Sequence, residues 1–201
     1  MARPAPTEAS PDRSPRRERA DAARNRERVL AAAEGLFRCC DPLSVTMEDV
    51  ARAAGVGRAT LYRRYPDVRS IAVALLDQHE YALQERLMRG DPPLGPGAPP
   101  ADRLAAFYRA MVDLLERFGH LLRTAEGGSA RFTTGAYGFW AAHVRALLTE
   151  ARVPHPDQLV DVVLAPLAPE LYHRQRQELH LTPEAIADRL AWLAARILTG
   201  P

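Results

Sequence analysis

Apolar residues recur along most of this chain three or four positions apart, which is the spacing of one face of a helix. The first apolar stripe is formed by Val29, Ala33, Leu36, Phe37 and Cys40. It predicts a helix that starts at Asp21 and ends before the Asp41-Pro42 pair, because proline cannot continue a helix. The preceding residues 1–20 are rich in Pro, Ser, Arg and Glu without an apolar period, and we expect a flexible arm there.

Two short helices are predicted next. Thr46 followed by Asp49 is typical of a helix start, since the hydroxyl can cap a backbone amide and the carboxylate lies at the positive helix end. This helix should end at Gly55, a residue that readily adopts the left-handed conformation. Its inward residues are Val50, Ala51 and Ala54. A second short helix is predicted from about Gly57 to Arg64, before residues 65–67 interrupt the chain.

Helical periodicity also dominates the rest of the chain. A long helix after Asp67 is predicted by the stripe Ile71, Leu75, Leu76, His79, Leu83 and Leu87. The segment 90–100 is a linker, because its prolines and glycines forbid a regular element. Beyond it we predict a helix on Leu104, Phe107, Met111, Leu115 and Phe118, a shorter element at about 120–126, and helices at about 137–152, 157–177 and 183–199. Pro166 and Pro169 should bend or break the segment 157–177, and Thr182 should cap the last helix.

No strand candidate emerges from this pattern. The sequence predicts an all-α protein of about nine helices, with a three-helix unit at 21–67 and a larger helical part at 68–201. At 201 residues, with 47% apolar and 26% charged residues, the chain is long enough to bury a core. It has no apolar stretch of about 18 residues and no secretory signal, so we expect a cytoplasmic protein without membrane contact.

Charge is distributed unevenly although the net charge is only +2. Residues 1–70 contain 14 arginines against 10 acids, whereas residues 71–201 contain 13 arginines against 15 acids. All 27 cationic residues are arginines, whose guanidinium groups pair bidentately with phosphate and guanine. A cationic N-terminal part is compatible with nucleic-acid binding, and the arginine bias is equally compatible with codon composition.

The sequence lacks the usual marks of catalysis and metal binding. It has no nucleophile elbow, phosphate loop, zinc-ligand spacing or dinucleotide fingerprint, so we expect neither an enzyme nor a metal or cofactor. The two cysteines, Cys39 and Cys40, are adjacent and cannot form a disulfide framework. We expect two thiols buried on a helix, and a redox sensor is the alternative.

The two short helices joined at residues 54–56 form a helix-turn-helix. At 100° per residue, a second helix with Leu61 inward points Ala59 and Arg63 outward, flanked by Thr60 and Tyr62. A small residue lets the backbone approach the DNA major groove, Arg63 can bind guanine bidentately, and the hydroxyls suit bases or phosphates. The alternative is an ordinary charged surface on a short helix.

The stretch TMEDVARAAGVGRATLYRRYPD at residues 46–67 closely resembles the DNA-binding region of TetR-family regulators. The resemblance extends over about Arg24 to Ile71, and its most specific part is AGV, two residues, ATLY, two residues and YP. It implies that Thr46 and Tyr62 contact phosphates. It also implies that Arg58, Ala59, Thr60 and Arg63 face base edges or their flanks, and Arg64 is a further phosphate candidate.

The chain departs from the family pattern at three positions. The family usually has a glycine at the end of the first helix, an aromatic residue after it and a lysine near the start of the fourth helix. This chain has Asp41, Pro42 and Val68 there, and neighbouring Arg69 is the candidate replacement for the lysine. The arm could add minor-groove contacts, with a disordered tail as the alternative. Its candidate residues are Arg13, Arg16, Arg17 and Arg19.

The resemblance further implies a homodimer that binds palindromic operator DNA as a repressor and is released by a small apolar or amphipathic effector. A single recognition helix also offers too little surface for specific binding. The candidate interface is Leu159, Val163, Leu167, Leu171, Leu190, Leu193 and Ile197, part of which could instead face the protomer's own core. The candidate pocket is Tyr108, Met111, Arg117, His120, Trp140, His143 and Tyr172, with ordinary packing as the alternative. In the alternative hypothesis the protein also binds DNA, but its C-terminal part only dimerises or binds a protein partner, without a small ligand.

Overall fold

The computed structural model describes the backbone of residues 15–39, 44–125 and 135–199, and the side chains of residues 21–39, 44–119 and 135–199. Nine α-helices lie in these described residues, which contain no strand. The helices are α1 (Pro15–Cys39), α2 (Met47–Ala54), α3 (Arg58–Arg64), α4 (Val68–Arg89), α5 (Pro100–Ala125), α6 (Gly135–Glu150), α7 (Pro156–Leu164), α8 (Pro169–Gln177) and α9 (Pro183–Thr199). The predicted all-α fold is confirmed.

The chain divides into two compact units, residues 1–71 and residues 72–201. The division falls inside α4, so this helix contributes its first four residues to the first unit and the remainder to the second. We refer to the described residues of these units as the head and the body. DNA binding by the head, and ligand binding and dimerisation by the body, stay predictions.

The head has a small apolar core built from four helices. Its buried side chains are Val29, Leu30 and Ala33 of α1, Val45 before α2, Met47, Val50, Ala51 and Ala54 of α2, Leu61 of α3, Tyr65 after it, and Ile71 of α4. Two predicted stripe members, Leu36 and Phe37, are only half-buried. Leu30 was not in the predicted stripe, although only 1% of its surface is exposed.

Two expectations about α1 are wrong. The helix begins at Pro15, six residues before the predicted start, because proline fits the first turn and the following Arg-Arg-Glu-Arg-Ala segment consists of good helix formers. Cys39 is exposed rather than buried. It lies six residues after the buried Ala33 and therefore points about 120° away from it. Cys40 and the Asp41-Pro42 pair lie outside the described residues.

The body has its core around α5, which packs along α9 and also contacts α6 and α8. Phe107 and Tyr108 are among its largest fully buried side chains. Helix α5 continues without a break to Ala125, where a separate shorter element at about 120–126 was expected. Gly119 lies inside α5 with its Cα side against Tyr172, where an added Cβ would be 4.0 Å from the ring.

Prolines and glycines interrupt the helices of the body where the sequence predicted. Helix α7 ends at Leu164, a 3₁₀ turn follows at Ala165–Leu167, and α8 begins at Pro169, so the expected break is confirmed. The linker between α4 and α5 has no helix or strand. At Gly95 an added Cβ would lie 1.8 Å from the carbonyl oxygen of Gly90, so only glycine fits this turn.

The hydroxyl of Thr182 accepts a hydrogen bond from the Ala185 amide at 3.2 Å, which confirms it as the N-cap of α9. None of the helices in the described part of the chain is long and apolar enough to cross a bilayer.

Candidate nucleic-acid interface

A reciprocal capping box fixes the start of α2. The Asp49 amide donates to the Thr46 hydroxyl oxygen at 3.2 Å, and the Thr46 amide donates to Oδ2 of Asp49 at 3.1 Å. The Thr46 hydroxyl also donates to the same carboxylate oxygen at 2.5 Å. These hydrogen bonds from Thr46, aided by Arg52, lower the pKa of Asp49. The Thr46 hydroxyl is exposed, but its hydrogen is already directed to Asp49.

A glycine turn joins α2 to α3. Gly55 has φ 61° and ψ 39°, and its amide and that of Val56 donate to the carbonyls of Arg52 and Ala51. This is a Schellman motif, which requires a left-handed residue where glycine is least strained. Nη2 of Arg28 in α1 donates to the Gly55 carbonyl at 2.9 Å. The first helix therefore holds the turn that orients α3.

Helix α3 presents one face outward and anchors the other. Leu61 is 2% exposed and Tyr65, directly after the helix, is 5% exposed. All other residues of α3 are exposed, namely Arg58, Ala59, Thr60, Tyr62, Arg63 and Arg64. The rotation predicted from the sequence, with Leu61 inward and Arg63 outward, is confirmed. The helix begins at Arg58 with Gly57 as its N-cap, one residue later than predicted.

The arginines of the interface differ in their intramolecular contacts. Nη1 of Arg58 lies 3.5 Å from a carboxylate oxygen of Glu48 on α2. Arg64 donates to the Ala22 carbonyl of α1 at 3.4 Å. The Arg63 side chain makes no hydrogen bond or ion pair with any other described residue. Its guanidinium group is therefore the one on α3 that can bind an external acceptor without first losing a protein contact.

This region matches a known family. Residues 29–75, which include α2, α3 and parts of α1 and α4, match the model of bacterial regulatory proteins of the tetR family. This part of the chain is therefore similar to regulatory proteins of the tetR family.

Curated relatives match about a third of this chain. An uncharacterised HTH-type transcriptional regulator of Mycobacterium tuberculosis is 39% identical over 62 residues, which cover 31% of this chain and 31% of that protein. A second one, from Mycobacterium bovis, is 43% identical over 65 residues, 32% of this chain and 34% of that protein. The chain thus matches about a third of the length of these relatives.

Solved structures share the whole fold at low sequence identity. FadR, a fatty acid degradation regulator from Bacillus halodurans, has a TM-score of 0.63 at 12% identity, covering 88% of this chain and 97% of that chain. NalD, the secondary repressor of the MexAB-OprM multidrug efflux pump in Pseudomonas aeruginosa, has a TM-score of 0.56 at 22% identity, covering 89% and 98%. A complex of SmeT with triclosan has a TM-score of 0.60 at 13% identity, covering 85% and 90%. These likenesses show that the chain shares its all-α fold with these regulators.

The candidate pocket residues differ in burial, and two of them already form hydrogen bonds within the body. Tyr108 is fully buried and donates to the Val163 carbonyl at 2.8 Å. Tyr172 is buried and donates to Oε2 of Glu116 at 2.5 Å. Met111 and Trp140 are buried by packing, Arg117 is exposed, and the His120 side chain lies outside the described residues. Their assignment to a ligand stays a prediction.

His143 belongs to an aromatic cluster between α5 and α6. Its ring centroid lies 5.4 Å from that of Phe107, which is itself 5.7 Å from Trp140. Burial, with a smaller effect from the charge of Arg103, lowers the pKa of His143 to about 4. Nε2 is buried without a hydrogen-bond partner. The imidazole is therefore neutral near pH 7 and acts in the core as an aromatic ring.

The predicted interface residues differ in exposure. Val163, Leu167 and Leu190 are buried within their own unit, so they leave little surface for a partner. Leu159, Leu193 and Ile197 are half-buried, and Leu171 is exposed. Trp192 of α9 was not among the predicted residues, although 63% of its surface is exposed. A large aromatic residue beside polar residues on the outer face of a helix was the sequence feature that could have identified it.

Proposed function

We propose that this chain binds double-stranded DNA through α3 and regulates transcription. The geometry of α3 supports this proposal most directly, because Leu61 is buried and the exposed Arg63 side chain has no partner among the described residues. A short helix of this kind, held by a glycine turn and a preceding helix, can enter the major groove. The relatives over this region are HTH-type transcriptional regulators, which supports the same function.

Arg63 is proposed to bind a guanine edge, with Ala59 allowing close approach and Thr60 contacting a neighbouring base. Tyr62, Arg64 and Arg69 are proposed to contact phosphates, because they lie beside that face and are exposed. Arg58 and Thr46 are also proposed DNA contacts. Each would have to exchange a present contact, with Glu48 and Asp49 respectively, so their net contributions should be smaller than that of Arg63.

Selection of bound sequences from random duplexes tests this proposal. The protein should enrich a near-palindromic consensus, and Arg63→Ala should relax the preference at one symmetric pair of positions, with a loss of about 1–3 kcal/mol for the preferred base. Arg38→Ala is the matched control. Arg38 is also an exposed arginine of the head, but it lies in the last turn of α1 rather than on α3, and it is paired with Glu34. The same base preferences in the sequences selected by the parent protein and by Arg63→Ala would exclude base recognition by this residue.

The near-palindrome follows from a proposed homodimer. Two copies of α3 double the recognition surface, and a two-fold protein axis demands two-fold related half-sites. The exposed apolar residues Leu171 and Trp192 on α8 and α9 support an interface on the last two helices. Half-buried Leu193 and Ile197 lie on the same helix as Trp192 and complete the proposed contact set.

We further propose that the chain represses transcription and that a small-molecule effector releases it from DNA. A ligand that favours one setting of α4, the helix shared by head and body, would change the affinity for DNA. A coupling of about 1–3 kcal/mol would change this affinity by about 5- to 150-fold. The fold is shared with a regulator solved in complex with triclosan, which supports a ligand-responsive body.

The alternative is a body that only dimerises or binds a protein partner. It is favoured by the packing of Tyr108, Trp140 and Tyr172, which fill the interior and, for the tyrosines, already bond their hydroxyls. Measurement of affinity for the selected operator against a broad panel of effectors separates the two functions. A shift of at least about 5-fold supports the effector response, and constant affinity across the panel supports the alternative.

A further inference from the structure

A groove of about 390 Å³ lies between α4 and α5 in the body. Helix α4 lines the groove with residues 79, 82, 83 and 86. Helix α5 lines it with residues 106, 109, 110, 113, 114 and 117, which lie on one face because they are three or four positions apart. Leu94 of the linker also lines it. This volume lies in the range of about 300–1,000 Å³ that is usual for small-ligand sites. The groove contains Arg117 but none of the other candidate pocket residues.

The buried part of the groove is apolar, and its exposed rim is mainly cationic. Leu83, Leu94 and Leu114 are buried and form the apolar part. The exposed lining residues include three arginines, Arg86, Arg109 and Arg117, and one carboxylate, Asp113. This arrangement favours a ligand that combines an apolar segment with an anionic group.

Two of the arginines are available for an external anion. The guanidinium group of Arg86 makes no hydrogen bond or ion pair with any other residue in the described part of the chain. Arg109 lies 3.7 Å from Oδ1 of Asp188, and both side chains are more than half exposed. Such an exposed pair at this distance is weak, so a ligand carboxylate can replace Asp188 at little cost.

We propose that this groove binds an amphipathic anion, namely a carboxylate carried on a short alkyl chain. The carboxylate lies between Arg86 and Arg109, and the alkyl chain covers the leucines. This names the chemical class of the effector in the proposed function. The effect of the ligand on DNA binding rests on the proposed function. Binding of the ligand does not, because the groove lies within the body. By joining α4 to α5, the ligand would favour one setting of α4.

Calorimetric titration of the full chain, without DNA, tests the groove. Octanoate should bind in a saturable manner, 1-octanol should bind about 10-fold more weakly because it lacks the charge, and acetate should not bind because it lacks the chain. Absence of saturable octanoate binding up to millimolar concentration overturns the proposal. Equal affinities for octanoate and 1-octanol overturn it as well, since they would make the arginines irrelevant.

Arginine variants locate the site. Arg86→Gln should weaken octanoate binding by about 10-fold and leave 1-octanol binding unchanged. Arg89→Gln is the matched control, because Arg89 is an exposed arginine of the same helix, paired with Glu85 and outside the groove. Ala110→Phe fills the groove and should abolish both bindings. Identical behaviour of Arg86→Gln and Arg89→Gln would overturn the assignment.

DNA binding is measured separately, in the absence of octanoate. Failure of the chain to bind DNA would overturn the proposed function, whereas the titrations without DNA still test the groove. Octanoate that binds the groove should also shift the affinity for the selected operator by at least about 5-fold. An unchanged affinity in its presence would overturn its identification as an effector.

Discussion

The hydroxyl of Thr46 has a structural role and a proposed functional role. Thr46 was expected to contact phosphate, and the structure shows that it also caps α2 through the capping box with Asp49. An N-cap threonine contributes to stability because it satisfies an otherwise free helix amide. Substitution of Thr46 is therefore expected to affect both folding and the proposed DNA binding, and the two effects must be measured separately.

We expect Thr46→Ala to lower the free energy of unfolding by about 1 kcal/mol, since the Asp49 amide loses its acceptor. Urea unfolding measures this loss. Affinity for DNA, measured where the variant is folded, should fall by the same factor for all duplex sequences, because phosphate contacts carry no base information. Thr46→Ser is the control and should retain both properties. A changed sequence preference in Thr46→Ala would contradict the phosphate assignment.

The carboxylate of Glu116 is held by hydrogen bonds from α8. It accepts two hydrogen bonds from Arg176, at 2.8 and 2.9 Å, and one from Tyr172. The bonds from Arg176, more than that from Tyr172, lower the pKa of Glu116 in the folded state. The stability that it contributes is therefore present above the pKa of the unfolded chain and lost as the pH falls through the lowered folded pKa.

We expect Glu116→Gln to be less stable than the parent chain at pH 7, by no more than about 1 kcal/mol because the pair is partly exposed to solvent. The difference should disappear on acidification below the usual pKa range of glutamate. Urea unfolding at a series of pH values measures it. Glu178→Gln, which removes an exposed ion pair with Arg174 at 3.4 Å, is the matched control in the same measurements. A difference that persists at low pH would refute this account.

At the scale of elements, the ends of the helices follow local rules. Thr46, Gly55, Pro169 and Thr182 were identified from the sequence, because capping and chain breaking act within three or four residues. The start of α1 was placed six residues too late, since a polar segment gives no apolar period. Sequence periodicity therefore detects the packed part of a helix better than its polar extension.

Two glycines of the head should respond in opposite ways to alanine. Gly55→Ala should destabilise the chain by about 1–2 kcal/mol, because alanine is strained at φ 61° and its Cβ would lie 2.7 Å from Nη2 of Arg28. Gly35→Ala should stabilise it by about 0.5–1 kcal/mol, because this position is helical and nothing lies within 4 Å of an added Cβ. Urea unfolding of both variants measures the effects, and shifts of the same sign would contradict the conformational explanation.

At the scale of the whole molecule, the exposed aromatic residue of α9 supports assembly. Trp192 is 63% exposed and is contacted by Arg196, whose guanidinium carbon lies 5.6 Å from the ring centroid. Exposed tryptophan is costly in water, and tryptophan and arginine are common at the energetic centres of protein interfaces. The proposed homodimer would cover this surface.

We expect Trp192→Asp to weaken the dimer by at least about 10-fold, measured by analytical ultracentrifugation over a concentration series. Tyr81→Asp is the matched control, because Tyr81 is 65% exposed on α4, outside the proposed contact set. A dimer equally sensitive to both substitutions, or insensitive to Trp192→Asp, would contradict an interface centred on α9.

The sequence alone determined the all-α class, the helix-turn-helix and the outward face of α3, because periodicity, caps and breakers are properties of neighbouring residues. It could not determine which apolar side chains of the body remain outside. Val163 and Leu190 proved buried and Trp192 exposed, although all three lie on amphipathic helices. Burial depends on contacts between residues far apart in the chain, such as Tyr108 with the Val163 carbonyl, and these were decided only by tertiary packing.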